Sequence, residues 1–536
     1  MHLTISIMKN IFKTLTVLLA LSALISCAKW EQYNTDPYGV STKDLEADYN
    51  NIGAYYPEIM QSVYFHYDKA TSRFQMTNNL TADIWSGQMA IPSDFGQTTA
   101  YYAQPDKYIK RHWDMTYEHL MSVIENFIKP QADNEQYQYL YAPALIVKVF
   151  AMMRITDSYG PIIYTKYGKD DADFDSQEEA YKAFFTDLDT AVAALDAFLT
   201  EYPDSQPFEK FDCWYTGDFH QWIKLANSLR LRLAMHIVKK DAATAKAEAL
   251  KAINNKYGLI TENADNCTVG GPGWSHPLYI ISTDWEDCRM SALMESFLLG
   301  YKDPRVGKFF QPTKEPAALE KGYEYKGIRL GIPQAHIMGD NKVYKLHSGL
   351  NFGADDRAVL FTAAETNFLL AEACLRGWIS GSVQSYYETG VAKSFEQWGA
   401  GDASAYLQST AEPADYEDVL NPSNSIASVN HLCPKWDESA SNEVKLERIM
   451  DQKWIAVYPE GHEAWCIQRR TGYPHLFPIV DNYSQGVFQN DDNVKRMQYP
   501  EESVRSNVKY DQAMSLLGGP DNGATRLWWD VEGPNF

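Results

Sequence analysis

The chain has 536 residues, 45% of them hydrophobic and 13% aromatic, which is ample for a large packed globular body. Its 70 acidic residues outnumber 48 basic ones, giving a net charge of -22 with no Lys/Arg cluster. That argues against a nucleic-acid partner, since a phosphate backbone needs a basic stripe. The seven cysteines include no CxxC pair, so metal-ligand spacing is absent as well.

At the amino terminus, Lys9 and Lys13 precede an apolar run from Leu15 to Ile25. A transmembrane helix needs roughly 20 apolar residues and a signal h-region about 7 to 15, so residues 1–26 read as an export signal, with Met8 as an alternative start. Leu24-Ile25-Ser26-Cys27 then reads as a lipobox, in which the Cys27 thiol takes a diacylglycerol and becomes the first mature residue. The alternative is an ordinary secretory signal that ends near a cysteine. Each buried CH2 of an acyl chain contributes ~0.8 kcal/mol, so several chains on one residue would anchor the protein firmly. No other long apolar stretch is evident, so residues 27–536 are expected to form a single domain anchored to a bilayer without spanning it.

Helical spacing recurs through the rest of the chain. A helix is expected over residues 144–157. In the next one, Tyr181, Phe184, Phe185, Leu188, Val192 and Leu195 form an inward stripe. Asp218 caps another, with Trp222, Leu225, Leu229 and Leu233 buried and Arg230 and Arg232 pointing elsewhere. Residues 242–253 form its neighbour, and residues 362–376 and 444–458 give two more. Gly160, Gly377 and Gly461 stand where helices 144–157, 362–376 and 444–458 would stop. The class is therefore mainly all-α, with helix pairs stacked in a tetratricopeptide-like way despite the lack of a clean 34-residue period. Between them, residues 261–356 and 397–439 show no sustained period, and their aromatic content argues for ordered, functional loops.

Catalytic motifs fail on inspection. His462-Glu463-Ala464-Trp465-Cys466 starts like HExxH but has Cys466 in place of the second histidine, and no GxSxG elbow, P-loop or GxGxxG fingerprint is present. Asp171, Asp173 and Asp175 alternate like the start of a calcium loop, yet Ser176 and Lys182 occupy the positions of its glycine and bidentate glutamate. No cofactor is expected, and calcium has no support beyond that spacing. Cys267 and Cys288 are the candidates for one disulfide in an oxidising exterior, whereas Cys374 and Cys466 suit buried free thiols.

Several segments in order resemble the SusD/RagB family of outer-membrane nutrient-binding lipoproteins, in particular the SusD-like subgroup of Bacteroidetes. They are Asn34-Thr35-Asp36-Pro37; Arg154 through Pro161; Gly217 through Trp222 leading to Arg230 and Arg232; Glu365 through Ala373; Gln452-Lys453-Trp454; Glu460 through Trp465; Arg469 through Pro474; Arg496 through Pro500; and Trp528-Trp529-Asp530. The resemblance implies an α-helical SusD-like fold, a cell-surface position over a SusC-like TonB-dependent barrel, and delivery of glycans or, in some relatives, peptides. One departure is that Ala28-Lys29-Trp30-Glu31 offers a single acid where surface members often carry an acidic run. Glu372, Arg469 and Arg470 are expected to be architectural, as long charged groups paired beside apolar helices.

Sugars are gripped by aromatic faces with amides and carboxylates reaching the hydroxyls. Two irregular regions supply that mixture. The first holds Asn78, Asn79, Asp83, Trp85, Gln88, Tyr101, Tyr102 and Gln104; the second holds Trp274, His276, Tyr279, Trp285 and Asp287. Trp113, Trp222 and Trp454 lie on helical stripes and are expected in the core. The expected function is glycan capture without chemistry. A peptide-binding relative, a surface glycoside hydrolase and a lid subunit with little affinity of its own are the alternatives.

Overall fold

The computed structural model describes residues 8, 49–64, 71–93, 99–132, 137–271, 273–337 and 342–536. The expected export signal, Met8 apart, and Cys27 lie outside these residues. The chain forms two units, Met1–Ala54 and Tyr55–Phe536. In the first, the described part is a short helix Asn50–Gly53 led by Tyr49 at φ 61°.

The second unit is built on helices. α1 (Tyr56–Ser62) and α2 (Asp106–Thr116) precede α3 (Gln138–Tyr159), which is apolar on every face. By length and composition α3 would suffice for a membrane crossing, which corrects the expectation of no further long apolar stretch. Its most apolar window is nonetheless 83% buried inside the fold, and it carries the buried Arg154 and Asp157, so it is a core helix. α4 (Gln177–Glu201) opens on a capping box in which Ser176 and Glu179 satisfy each other's backbone N–H. α5 (Phe219–His236) is capped by Asp218, and α6 (Ala242–Ile253) by Asp241. α7 (Ala292–Gly300) lies inside the stretch that shows no period; seven of its nine residues are buried, so it has no polar stripe to reveal it. α8 (Ala363–Leu375), α9 (Val383–Gln397), α10 (Asn442–Ala456), α11 (Gly461–Thr471) and α12 (Tyr510–Leu517) complete the set.

These helices pack as pairs: α3 on α4, α5 on α6, α8 on α9. Successive pairs then join through α4 on α5, α5 on α8, α8 on α10 and α10 on α11. The result is the expected tetratricopeptide-like array. Two small antiparallel sheets pin the intervening loops: β1 (Met89–Ala90) pairs with β3 (Arg289–Met290), and β2 (Cys267–Val269) with β4 (Ala358–Phe361). Trp222 and Trp454 are fully buried and Trp113 nearly so.

Arg230 and Arg232 do not point away from the core. Both are buried: Arg230 is paired with Asp189 and Glu248, and Arg232 meets Glu365 through two hydrogen bonds of 2.8 and 2.5 Å. The latter pair opens a chain of buried polar groups. Lys453 reaches Glu463 at 2.7 Å, His236 lies between Glu463 and Asp157, and Trp529 donates to Asp157 at 2.7 Å. Helices α3, α5, α8, α10 and α11 are thereby tied at one point. A second tie, Arg470 with both oxygens of Glu372 at 2.7 Å, joins α11 to α8.

Gly160 and Gly377 end their helices at positive φ, whereas Gly461 starts α11 instead of ending α10. The reason for glycine there is space: a Cβ would fall 2.3 Å from a carboxylate oxygen of Asp83.

Candidate functional site

Residues 267–290 run from β2 to β3 with one side turned inward. His276, Leu278, Ile281 and Cys288 are fully buried. His276 stacks on Phe352 at 4.4 Å, accepts the Leu278 N–H, and its own N–H donates to Ala354 at 2.8 Å. Gly271 and Gly273, at φ 137° and 75°, supply the turn that leads into Trp274. On the outward side stand Trp274 and Tyr279, both half-buried, and Trp285, which is 38% exposed. Trp274 is held by its indole N–H, which donates to the Asp356 carbonyl at 2.9 Å. The nearby Asp287 accepts from Gln75 at 3.2 Å.

Trp274 sits on the wall of a cleft of about 990 Å³. Other walls come from Gln61 on α1, Gln221 on α5, Asn263, Arg357 and Gln397 at the end of α9. Arg357 is fixed by bonds to the Thr268 hydroxyl (2.7 Å), the Thr268 carbonyl (2.9 Å) and the Cys213 carbonyl (2.7 Å). Among the described residues, the side-chain carbonyl oxygens of Gln221 and Gln397 are buried and have no donor, although the Gln221 amide nitrogen donates to Asp265 at 2.8 Å. Gln221, Gln397 and the Trp274 indole line one cleft, a mixture of amides and an aromatic ring that suits a ligand rich in hydroxyls.

The cleft carboxylates are committed elsewhere. Asp212 accepts the N–H groups of Trp214, Tyr215 and Gly217 and the indole N–H of Trp222 at 2.7 to 3.0 Å. Burial raises its carboxyl above the usual range despite these bonds. Asp218 is the cap of α5. Neither is arranged as a general acid or base toward a substrate.

All of the first predicted group but Gln104, which is half-buried, lies inside the protein. Asn78 accepts from Arg154 at 2.7 Å, Asn79 donates to the Cys288 sulfur at 3.4 Å, and Gln88 donates to the Trp454 carbonyl at 2.7 Å. Asp83 is buried near Glu460 and Arg154; desolvation, then Glu460, push its carboxyl up to about 7. Trp85 is 1% exposed, donates to the Thr99 carbonyl at 3.0 Å and packs against Trp465. Tyr101 and Tyr102 are 1% and 3% exposed. The idea of an exposed platform at these positions is therefore corrected: an irregular stretch rich in amides and aromatics reads alike whether it faces water or the core. Conversely, Gln61, Gln221, Arg357 and Gln397 carried no recognisable signal, because single polar residues at helix and strand ends are common.

The remaining motifs resolve into structure. Lys509 lies 2.6 Å from Asp171 and 2.5 Å from Asp173, and the Asp175 carboxylate accepts the N–H groups of Tyr164 and Thr165. An ammonium thus occupies the space that the calcium spacing suggested. Asp157, His236 and Cys466 lie within 4.8 Å of one another, but Asp157 already accepts from Tyr181 and Trp529, and Arg469 donates to the Cys466 sulfur at 3.1 Å. That cluster is a hydrogen-bonded hub whose fourth corner is a guanidinium, which fits no metal. Cys267, in β2, and Cys288, just before β3, are free, as are the other described cysteines, so the expected bridge is not formed.

A family model described as SusD-like, the Susd and RagB outer membrane lipoproteins, matches residues 32–530. Among solved structures, a chitin-binding SusD homolog from Flavobacterium johnsoniae is 39% identical, with a TM-score of 0.85 over 90% of this chain and 99% of that one. A SusD homolog from Bacteroides vulgatus is 38% identical (TM-score 0.86, 92% and 100% covered), and one from Bacteroides uniformis is 34% identical (0.82, 90% and 99%). A comparison with curated proteins finds no match. The helix-pair array, the ionic ties at Glu365, Glu372, Lys453, Glu463 and Arg470, and these likenesses over nearly the whole length lead to one conclusion: the chain belongs to the SusD-like family of outer-membrane lipoproteins.

Proposed function

We propose that this protein is a cell-surface lipoprotein, anchored through Cys27, that binds a glycan in the cleft beside Trp274 and passes it to a SusC-like TonB-dependent barrel. The observation that carries the binding reading is that the Trp274 ring and the Gln61, Gln221 and Gln397 amides line one cleft of about 990 Å³. Tyr279, half-buried, and Trp285, exposed, follow on the same segment. The chitin-binding homolog makes chitin oligosaccharides the first ligands to try. The commitment of Asp212 and Asp218 to backbone groups favours binding over hydrolysis.

Calorimetric titration against a panel of glycans and peptides tests the proposal. A glycan is expected to bind, and Trp274→Ala to weaken it at least tenfold, about 1.4 kcal/mol, with little change in melting temperature. Unchanged glycan affinity in that variant defeats the site. Release of reducing sugar that vanishes with one carboxylate substitution would establish the hydrolase instead, and tight binding of a peptide alone would establish the peptide-binding relative.

A further inference from the structure

A second cavity, of about 420 Å³, opens beside Tyr102 and lies within the ~300–1,000 Å³ range of small-ligand sites. Its most exposed aromatic is Tyr483, 39% accessible, whose inner face stacks on Tyr101 at 4.3 Å and 17°. The Tyr483 N–H donates to the Tyr101 carbonyl at 2.9 Å, so both backbone and ring are fixed and the open face points outward. The loop that carries it closes on itself: Asn482 donates to the Phe488 carbonyl at 2.9 Å, and the Ser484 hydroxyl accepts the Phe488 N–H at 3.1 Å.

Three glutamine amides line the same cavity. Gln104 donates to the Arg496 carbonyl at 2.9 Å and accepts the Gln498 N–H at 2.8 Å, which locks its orientation. Gln498 in turn donates to the Asp521 carbonyl at 3.1 Å. Gln485, exposed at the lip with φ 56°, has a side-chain amide without a protein partner among the described residues. Gly523 sits so close to this wall that a Cβ would fall 2.2 Å from the Gln104 amide nitrogen and 2.7 Å from Phe488, so the packing behind the cavity depends on its lack of a side chain. No lining residue is charged, in a chain whose net charge is -22.

We infer that this cavity is a second binding site, for a short uncharged saccharide stacked on the outer face of Tyr483 and held by the Gln104, Gln485 and Gln498 amides. An anionic sugar would meet no cation here, and a charged peptide would leave its charges unpaired. The inference rests on the proposed glycan-binding role and gives the protein two contact points for one long chain or two short ones.

The test uses ligand-observed NMR on the mature chain with N,N'-diacetylchitobiose and cellobiose as neutral probes, N-acetylneuraminic acid as the anionic one, and an uncharged proline-containing peptide. Trp274→Ala is expected to retain binding of a neutral disaccharide at millimolar concentration. Adding Tyr483→Ala should weaken that residual binding at least tenfold, while Tyr483→Phe in its place should preserve it. Gln485→Gly, which suits the left-handed backbone, gives a second reading if Tyr483→Ala lowers the melting temperature. Loss of all disaccharide binding in Trp274→Ala alone defeats this site and leaves the Trp274 cleft standing. Loss only with Tyr483→Ala establishes the second site and defeats the cleft. No neutral disaccharide binding at all, or equal binding of the acid or the peptide, overturns the inference.

Discussion

Asp83 and Trp85 show what burial does to residues that look like ligand contacts. Asp83 is surrounded by core, and the Arg154 charge, the Asn79 side chain and the Gly461 N–H, which favour its charged form, do not offset desolvation and the neighbouring Glu460. Its carboxyl is held at about 7, above the ordinary 3.8, so the folded protein keeps a proton that the unfolded chain releases. Its contribution to stability is therefore greatest at low pH and is lost as pH rises from about 4 toward 7. Asp83→Asn should flatten the fall in melting temperature between pH 4 and 7, through a difference of at most ~4 kcal/mol at the alkaline end. Parallel melting curves in the two proteins would refute this. Trp85→Ala should cost about 3–5 kcal/mol in a denaturant titration, because it empties a site fully enclosed by Trp465 and the Thr99 carbonyl. Any loss of glycan binding in that variant then follows unfolding and disappears at low temperature.

At the scale of elements, the helix stripes were legible because each amphipathic helix needs one apolar face. The stripe in α4, except Val192, which is half-buried, and the Asp218 cap of α5 appear where the spacing puts them. Helix α7 was not legible, since an element buried on all sides has no polar face to set a period. Charged residues were misjudged in α5 for a related reason: Arg232 needs a partner from α8, 133 positions away, and no local pattern announces it. The tie of Arg470 to Glu372 makes a measurable case. Burial alone would raise the Glu372 carboxyl, but Arg470 and Arg376 outweigh it and hold it at about 2. Arg470→Met should destabilise the protein by about 3–5 kcal/mol, since it leaves Glu372 buried without its main partner. Glu372→Met added to it should recover part of that loss, and simple additivity in the double-mutant cycle would refute direct coupling.

For the whole molecule, the proposal is that an anchor at Cys27 holds the array of helix pairs at a membrane surface. Mass spectrometry of the mature amino terminus should find acyl chains on Cys27, and a Cys27→Ala protein should leave the membrane fraction. Retention of that variant in the membrane would undo the anchor. Protease treatment of intact cells addresses the side it faces: cleavage of the wild-type chain without lysis is the outcome expected of surface display.

The sequence by itself determined the helical class, the Asp218 cap and the family, because each is written in local spacing or in motifs that survive as short strings. Only the tertiary structure decided which aromatics and amides face solvent. Trp85 and Trp285 sit in similarly irregular, polar surroundings along the chain, yet one is enclosed and the other is 38% exposed. The difference arises from which distant segments fold over each residue, and that depends on packing among helices far apart in sequence. The same holds for Tyr483, whose platform exists only because Tyr101 is brought beneath it.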